Sequence, residues 1–160
     1  MLRPDGKRSA YSFLRKPPGL FVVAFDGKGV YLLKQYRYVL RRAIIEIPAG
    51  VMQGNNPLQN AKRELLEETG IRAKTWKRLG HYFIAPGHEQ TNIYAYLATN
   101  LDTTHVNISG QEGNESIQKV FRVSLPKLRQ MLKSGKVECG ITLAALALFF
   151  NHLALTKKNR

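Results

Sequence analysis

Three glutamates lie close together near the middle of the 160-residue chain, at positions 64, 67 and 68. On a helix, spacings of three and four residues place Glu64, Glu67 and Glu68 on one side. Like charges at these spacings repel, whereas a hard cation such as magnesium is held by a few carboxylates together with phosphate oxygens. A metal ion there could polarise a phosphoryl group and activate water. Arg63 could orient one carboxylate or contact a phosphate.

An exposed acidic helix face would give the same pattern, because glutamate-rich helices are common. Two observations favour a functional site. The chain has only eleven acidic residues, and three of them lie in this one turn. The cluster also lies between the segment Pro48-Ala49-Gly50 and Gly70, a glycine placed to end a helix.

The helix that carries these glutamates is predicted over Pro57–Thr69. Asn56 is a favourable N-cap, Pro57 suits the first helical position, and Gly70 follows the last helical residue. The apolar side of this helix consists of Leu58, Ala61, Leu65 and Leu66. The pattern thus predicts an amphipathic helix of roughly three to four turns.

The rest of the chain predicts strands that are followed by helices. Strands are predicted at 20–25, 30–36, 44–47, 76–84, 91–98 and 117–123, and helices at 125–133 and 141–155. The first two strands are separated by the turn Asp26-Gly27-Lys28-Gly29, which predicts a hairpin. Because strand–helix–strand repeats are few, the predicted fold class is α/β (α+β), a sandwich of sheet and helices in a single domain.

The glutamate cluster resembles a known family motif. Residues 63–71, RELLEETGI, match the second half of the Nudix box, R-E-U-x-E-E-x-G-U, at every position. The segments QYRY at 35–38, EIPAG at 46–50, RPDG at 3–6 and Pro86-Gly87 resemble the ADP-ribose pyrophosphatase branch of that family. The similarity extends over nearly the whole chain. It implies a Nudix fold, a mixed β-sheet between helices.

This resemblance also implies an activity and a site. Family members cleave a nucleoside diphosphate linked to another group, here most directly ADP-ribose or a related nucleotide sugar, to a nucleoside monophosphate and a sugar phosphate. The resemblance assigns Mg²⁺ or Mn²⁺ to the three glutamates and the backbone carbonyl of Ala49. The substrate-binding positions that it assigns are Arg37, Glu46, Gly50, Pro86 and Gly87. Relatives in this branch are usually homodimers, so the N-terminal segment 1–18 could contact a partner.

The first half of the box departs from the family pattern. The box glutamate falls at Asn55, and the loop from Gly50 to Asn55 is one residue short. In the family that glutamate supports the loop, often opposite the box arginine. We therefore expect Arg63 to lose a partner and the loop to be less well ordered, with metal binding retained by the helix.

The general base is the second departure. Attack by water needs a proton acceptor, which in this branch is often a glutamate on a mobile loop before a late strand. Glu112 and Glu115 flank the expected position without aligning to it, and solvated loop acids would look the same. In the Pro86 loop, Thr91 stands where relatives often have an acid. Glu89 could replace that acid only if the loop shifts.

The net charge of +14 is the unusual bulk property of the chain. Such a field attracts anionic ligands, although surface lysines that confer solubility would give the same charge. Contact with nucleic acid is possible, but no nucleic-acid-binding motif indicates it. Two alternatives therefore stay open: hydrolysis of dinucleoside polyphosphates or RNA 5′ ends, and a catalytically weakened Nudix protein that only binds nucleotides.

Cysteine content and hydropathy bear on the compartment. A single cysteine, Cys139, excludes an internal disulfide and suits a reducing environment. The first residues lack the apolar core of a signal peptide. The longest apolar run, residues 141–150, is too short to span a bilayer. We therefore expect a cytoplasmic protein that does not associate with membranes.

Overall fold

Helices pack on both faces of a mixed sheet. The computed structural model describes residues 2–106 and 116–158. The strands are β1 (Leu14–Arg15), β2 (Gly19–Ala24), β3 (Gly29–Arg37), β4 (Arg42–Glu46), β5 (Ala49–Val51), β6 (Arg72–Phe83), β7 (Glu89–Gln90), β8 (Asn92–Asp102) and β9 (Ile117–Ser124). The helices are α1 (Pro57–Thr69), α2 (Leu125–Lys133) and α3 (Gly140–Lys158). Of the helices in these ranges, none has the length and apolar character needed to cross a membrane.

The strands form two larger sheets and a short ladder. The order β5-β2-β8-β6 makes a mixed sheet in which β2 runs parallel to β8 and the other pairs are antiparallel. The order β4-β3-β9 makes an antiparallel sheet. The short strands β1 and β7 pair in parallel, so the N-terminal segment contacts the Pro86 loop of its own chain.

The predicted hairpin between the first two strands is wrong. A single bridge, Phe25 to Val30, joins β2 to β3, and the two strands then continue in different sheets. The reason is the composition of β2, which is buried at every residue. An entirely apolar strand is stable only with both faces covered. In the mixed sheet β5 and β8 pair with the two edges of β2, and α1 and α3 cover its two faces.

Alternate residues of the central strands face two cores. On one face, Phe21 and Val23 pack with Leu146 and Phe149 of α3. On the other face, residues of β2 and β8 pack with α1; they include Leu20, Val22, Ala61, Leu65 and Tyr96. The predicted arrangement of a mixed sheet between helices is therefore confirmed, and α1 is fixed against the sheet by its apolar side.

The ends of α1 follow the predicted signals. The Asn56 side chain accepts a hydrogen bond from the Gln59 N–H at 3.1 Å. Gly70 adopts the left-handed conformation with φ 70° and donates its N–H to the Leu66 carbonyl at 2.7 Å. Strand β6 begins four residues earlier than predicted, because backbone pairing of Arg72 with Asp102 extends the ladder beyond the apolar pattern.

Candidate active site

Two of the three glutamates point inward from α1 toward β5. Glu68 is 1% exposed, and its Oε2 accepts a hydrogen bond from the Ala49 N–H at 2.7 Å. Glu64 is 6% exposed and lies against the backbone of Gly50. A Cβ added at Gly50 would come within 2.0–2.4 Å of the Glu64 carboxyl atoms. Strand β5 therefore lies directly against two buried carboxylates, and glycine at position 50 permits this approach.

Arg63 pairs with two of the three glutamates of α1. Its guanidinium forms ion pairs with Glu64 and with Glu67, whose side chain is about one-third exposed. Arg63 therefore has two acidic partners, although position 55 is an asparagine. Both partners lie on the same helix, one and four residues after Arg63.

The donor atoms suit a hard divalent cation. Within residues 2–106 and 116–158, no group of three or more His, Cys, Asp or Glu side chains is arranged so that it could hold a metal ion. Arg63 instead acts as the counterion of two glutamates. Even so, two buried carboxylates beside a third, with a backbone segment in contact, make up the oxygen donor set that Mg²⁺ and Mn²⁺ prefer. The types of the donors, though not the present arrangement of the side chains, therefore match the predicted set: Ala49, Glu64, Glu67 and Glu68.

A buried asparagine holds the loop that precedes α1. Asn60 is 6% exposed, and its Oδ1 accepts a hydrogen bond from the Gln53 N–H at 2.9 Å. Its Nδ2 donates to the carbonyls of Gln53 and Asn56 at 2.8 and 2.9 Å. Sequence reasoning missed this residue, although a polar side chain next to Ala61 on the packed side was a usable signal. The loop is thus anchored from the helix, while Asn55 is exposed.

A cleft of about 400 Å³ opens beside β5. Ala49, Gly50 and Arg37 contribute to its lining. The Arg37 Nε donates to Glu46 Oε2 at 2.7 Å, and the Glu46 side chain is almost fully buried. Arg37 and Gly50 therefore line the cleft, whereas Glu46 lies behind Arg37 and holds its guanidinium.

The lining of the cleft also contains a second ion pair. The Lys16 Nζ lies 3.2 Å from Glu89 Oε1, and the Thr91 hydroxyl donates to the same oxygen at 2.7 Å. All three residues line the cleft. Because Thr91 donates a hydrogen bond and Lys16 lies close by, the pKa of Glu89 is lowered from its ordinary value. Sequence reasoning missed Lys16, since no local pattern shows which residue β1 brings to this loop.

Pro86 and Gly87 lie beside the N-terminal segment. Pro86 lines a neighbouring cavity of about 480 Å³ together with Tyr11, Phe13 and Phe83. The Gly87 carbonyl accepts a hydrogen bond from the Tyr11 hydroxyl. Gly87 therefore contacts the N-terminal segment, and Pro86 shares a cavity with that segment. The two candidate bases, Glu112 and Glu115, lie outside the described residues.

Comparisons with known proteins place this arrangement in a family. The family model for the NUDIX domain matches residues 15–139. The chain is similar to the ADP-ribose pyrophosphatase of Bacillus subtilis (strain 168), with 31% identity over 136 residues that cover 84% of this chain and 72% of that protein. It is also similar to the GDP-mannose pyrophosphatase of Shigella flexneri, with 25% identity over 159 residues that cover 91% of this chain and 81% of that protein.

A solved structure has a similar fold. The crystal structure of an ADP compounds hydrolase superposes with a TM-score of 0.83 at 19% identity, covering 97% of this chain and 83% of that one. At this identity the likeness concerns the fold alone. The family match, by contrast, spans most of the sequence and includes the glutamate helix and the strand against which it packs. This chain therefore belongs to the NUDIX family and is a Nudix hydrolase.

Proposed function

We propose that this Nudix hydrolase is a metal-dependent pyrophosphohydrolase that cleaves ADP-ribose or a related nucleotide sugar to a nucleoside monophosphate and a sugar phosphate. One observation carries the proposal. The buried carboxylates of Glu64 and Glu68 lie against Ala49 and Gly50, and these two residues also line a cleft that contains Arg37. Acidic metal-binding groups and a phosphate-binding cation thus meet at one short strand.

Each group has a defined task in this proposal. The glutamates of α1 and the Ala49 carbonyl would hold Mg²⁺ or Mn²⁺, which supplies charge neutralisation and activation of water when bound. Arg37, held by Glu46, binds a substrate phosphate through its remaining N–H donors. Glu112 and Glu115 remain our candidates for the general base.

The names of similar proteins support the substrate class. They include an ADP-ribose pyrophosphatase and a GDP-mannose pyrophosphatase, and both names refer to a nucleoside diphosphate linked to a sugar. A cleft of about 400 Å³ also lies within the usual range for small-molecule sites. We place ADP-ribose first because the ADP-ribose pyrophosphatase is 31% identical to this chain over the aligned residues, whereas the GDP-mannose pyrophosphatase is 25% identical.

The experiment is a substrate panel resolved by chromatography. Purified protein is incubated with ADP-ribose, GDP-mannose, a dinucleoside polyphosphate and 5′-triphosphorylated RNA, each with Mg²⁺ or Mn²⁺. Formation of AMP and ribose 5-phosphate, abolished by Glu68→Gln, is the expected result. Glutamine retains an oxygen that can accept the Ala49 N–H, so the variant should fold. Asp102→Asn, an exposed site at the end of β8, is the matched control and should hydrolyse normally.

The charge of +14 keeps polyanionic substrates as a second candidate. Contacts with many RNA phosphates would make activity fall steeply with salt, by orders of magnitude between about 50 and 200 mM. Hydrolysis of ADP-ribose, with only two phosphates, should fall far less. If ADP-ribose binds but no panel member is hydrolysed with either metal, the weakened nucleotide-binding protein becomes the better description. A homodimer and a cytoplasmic location remain predictions.

A further inference from the structure

Two cations line the cleft, and each is paired with a nearly buried carboxylate. The Arg37 side chain is 42% exposed and contacts Glu46, whose side chain is 5% exposed. The Lys16 side chain is 54% exposed and contacts Glu89, whose side chain is 10% exposed. In both pairs the acid is fixed within the protein and the cation extends toward solvent in the cleft.

Backbone pairing determines the position of Lys16. Strand β1 pairs in parallel with β7, which places Leu14 beside Glu89 and Arg15 beside Gln90. The Arg15 Nε also donates to Gln90 Oε1 at 3.1 Å. The residue that follows β1 is thereby held at the cleft by the main chain and by a side-chain contact.

We propose that Lys16 is a second phosphate-binding cation of the cleft and that Glu89 is the residue that positions it. An ammonium group has three N–H donors, and the contact with Glu89 can use only one or two of them at a time. Its half-exposed surface faces the space that Arg37 also borders. The ligand is a diphosphate. The inference rests on the proposed function because it takes this diphosphate to be part of a nucleotide sugar.

Glu89 is suited to positioning and not to proton transfer. The Thr91 hydroxyl donates to it and Lys16 lies beside it, and both interactions lower its pKa. A general base for water works best with a pKa near the working pH, so a strongly ionised glutamate is a weak base. The same interactions make Glu89 an effective fixed counterion for an ammonium group.

The test measures binding separately from catalysis. Isothermal titration calorimetry with inorganic pyrophosphate is run on the wild type, Lys16→Met and Lys16→Arg. We expect Lys16→Met to raise the Kd for pyrophosphate at least about tenfold, because one charge-assisted hydrogen bond is lost. Lys16→Arg keeps such a bond, so its Kd should stay within about threefold of the wild-type value. Lys28→Met, an exposed lysine in the turn at the other end of β2, should bind as the wild type does.

Glu89 needs a measurement that a purely structural role would leave unchanged. Once the hydrolysed substrate is known, Glu89→Gln should raise its KM several-fold with kcat nearly unchanged, and Glu89→Asp should restore part of the loss. Equal Tm values for all variants exclude misfolding as the cause.

Several outcomes would overturn the inference. The first is that Lys16→Met binds pyrophosphate as tightly as the wild type does. The second is that Lys28→Met loses as much affinity for pyrophosphate as Lys16→Met. The third is that the wild type does not bind pyrophosphate at all. The proposed function is judged independently by the products of the substrate panel. A protein that hydrolyses ADP-ribose but does not need Lys16 to bind pyrophosphate would refute only the role of Lys16. Weakened binding by Lys16→Met without hydrolysis of any nucleotide sugar would refute only the activity.

Discussion

At the scale of single residues, burial separates the three glutamates of α1. Glu64 and Glu68 are almost fully enclosed, whereas Glu67 is partly exposed and pairs with Arg63. A buried carboxylate is costly unless hydrogen bonds or charges compensate it. The Ala49 N–H provides one such bond to Glu68. The positions of the Glu64 and Glu68 carboxylates therefore depend on the close contact between α1 and the backbone of β5.

Gly50→Ala tests that contact. The added Cβ would come within 2.0–2.4 Å of the Glu64 carboxyl group, so the carboxylate must move. Since the atoms in the way are the far end of a flexible side chain, we expect the fold to survive and kcat/KM to fall about 100-fold through misplacement. Steady-state kinetics and circular dichroism measure both effects. Gly140→Ala, where a Cβ meets nothing within 4 Å, is the control. Wild-type activity in Gly50→Ala would show that the position of the Glu64 carboxylate does not matter for hydrolysis.

At the scale of elements, α1 and the loop before it behave as one unit. Asn60 binds the backbone of Gln53 and Asn56 through three hydrogen bonds. The box glutamate, which is absent at position 55, therefore has a substitute in Asn60, one helical turn into α1. This provides a physical reason why a shortened loop can still lead into the glutamate helix.

Asn60→Ala should loosen this unit. Loss of the side chain leaves backbone groups of the loop without their partners, which costs about 1–3 kcal/mol in the free energy of unfolding. We also expect hydrolysis to fall because the loop continues directly from β5. Urea denaturation measures the first effect and kinetics the second. Asn55→Ala, at an exposed position, should change stability by less than about 0.5 kcal/mol. Equal losses in both variants would contradict the anchoring role of Asn60.

At the scale of the whole molecule, an ion pair fixes the turn through which the chain passes from one larger sheet to the other. Asp26 lies in the turn between β2 and β3, where it accepts hydrogen bonds from the N–H groups of Lys28 and Gly29 at 2.9 and 2.8 Å. It also pairs with Arg122 of β9. The hydrogen bond from Arg122 is the main cause that lowers the pKa of Asp26 from 3.8 to about 2.

This shift predicts a pH dependence of stability. A carboxylate with a lowered pKa stabilises the fold above its unfolded pKa of 3.8, and the contribution is lost as the pH falls toward 2. We expect Asp26→Asn to lower the free energy of unfolding by about 1 kcal/mol at pH 7, a value reduced for solvent screening. The difference from the wild type should shrink between pH 4 and 2. Denaturation series at several pH values measure it, with exposed Asp5→Asn as control; a constant difference would contradict the prediction.

The same scales show what the sequence could predict. The bounds of α1 and α2 matched the prediction because Asn56, Gly70 and the apolar spacing act within a few residues of one another. Strands that pair in a sheet can lie far apart in the sequence. The turn at Asp26 therefore could not predict the pairing of β2 with β8. The ion pairs of Arg63 with Glu64 and Glu67 were likewise not apparent from the loop, since both partners lie on the same helix as Arg63.

The sequence by itself determined the glutamate helix, its caps and the chemistry of its charged side, because helix formation and side-chain spacing are local properties. It also carried the family motif at residues 63–71. Only the tertiary structure decided that β5 lies against Glu64 and Glu68, that Asn60 anchors the loop, and that the short strand β1 brings Lys16 to Glu89. These contacts join segments far apart in the chain, and strand pairing and core packing bring them together.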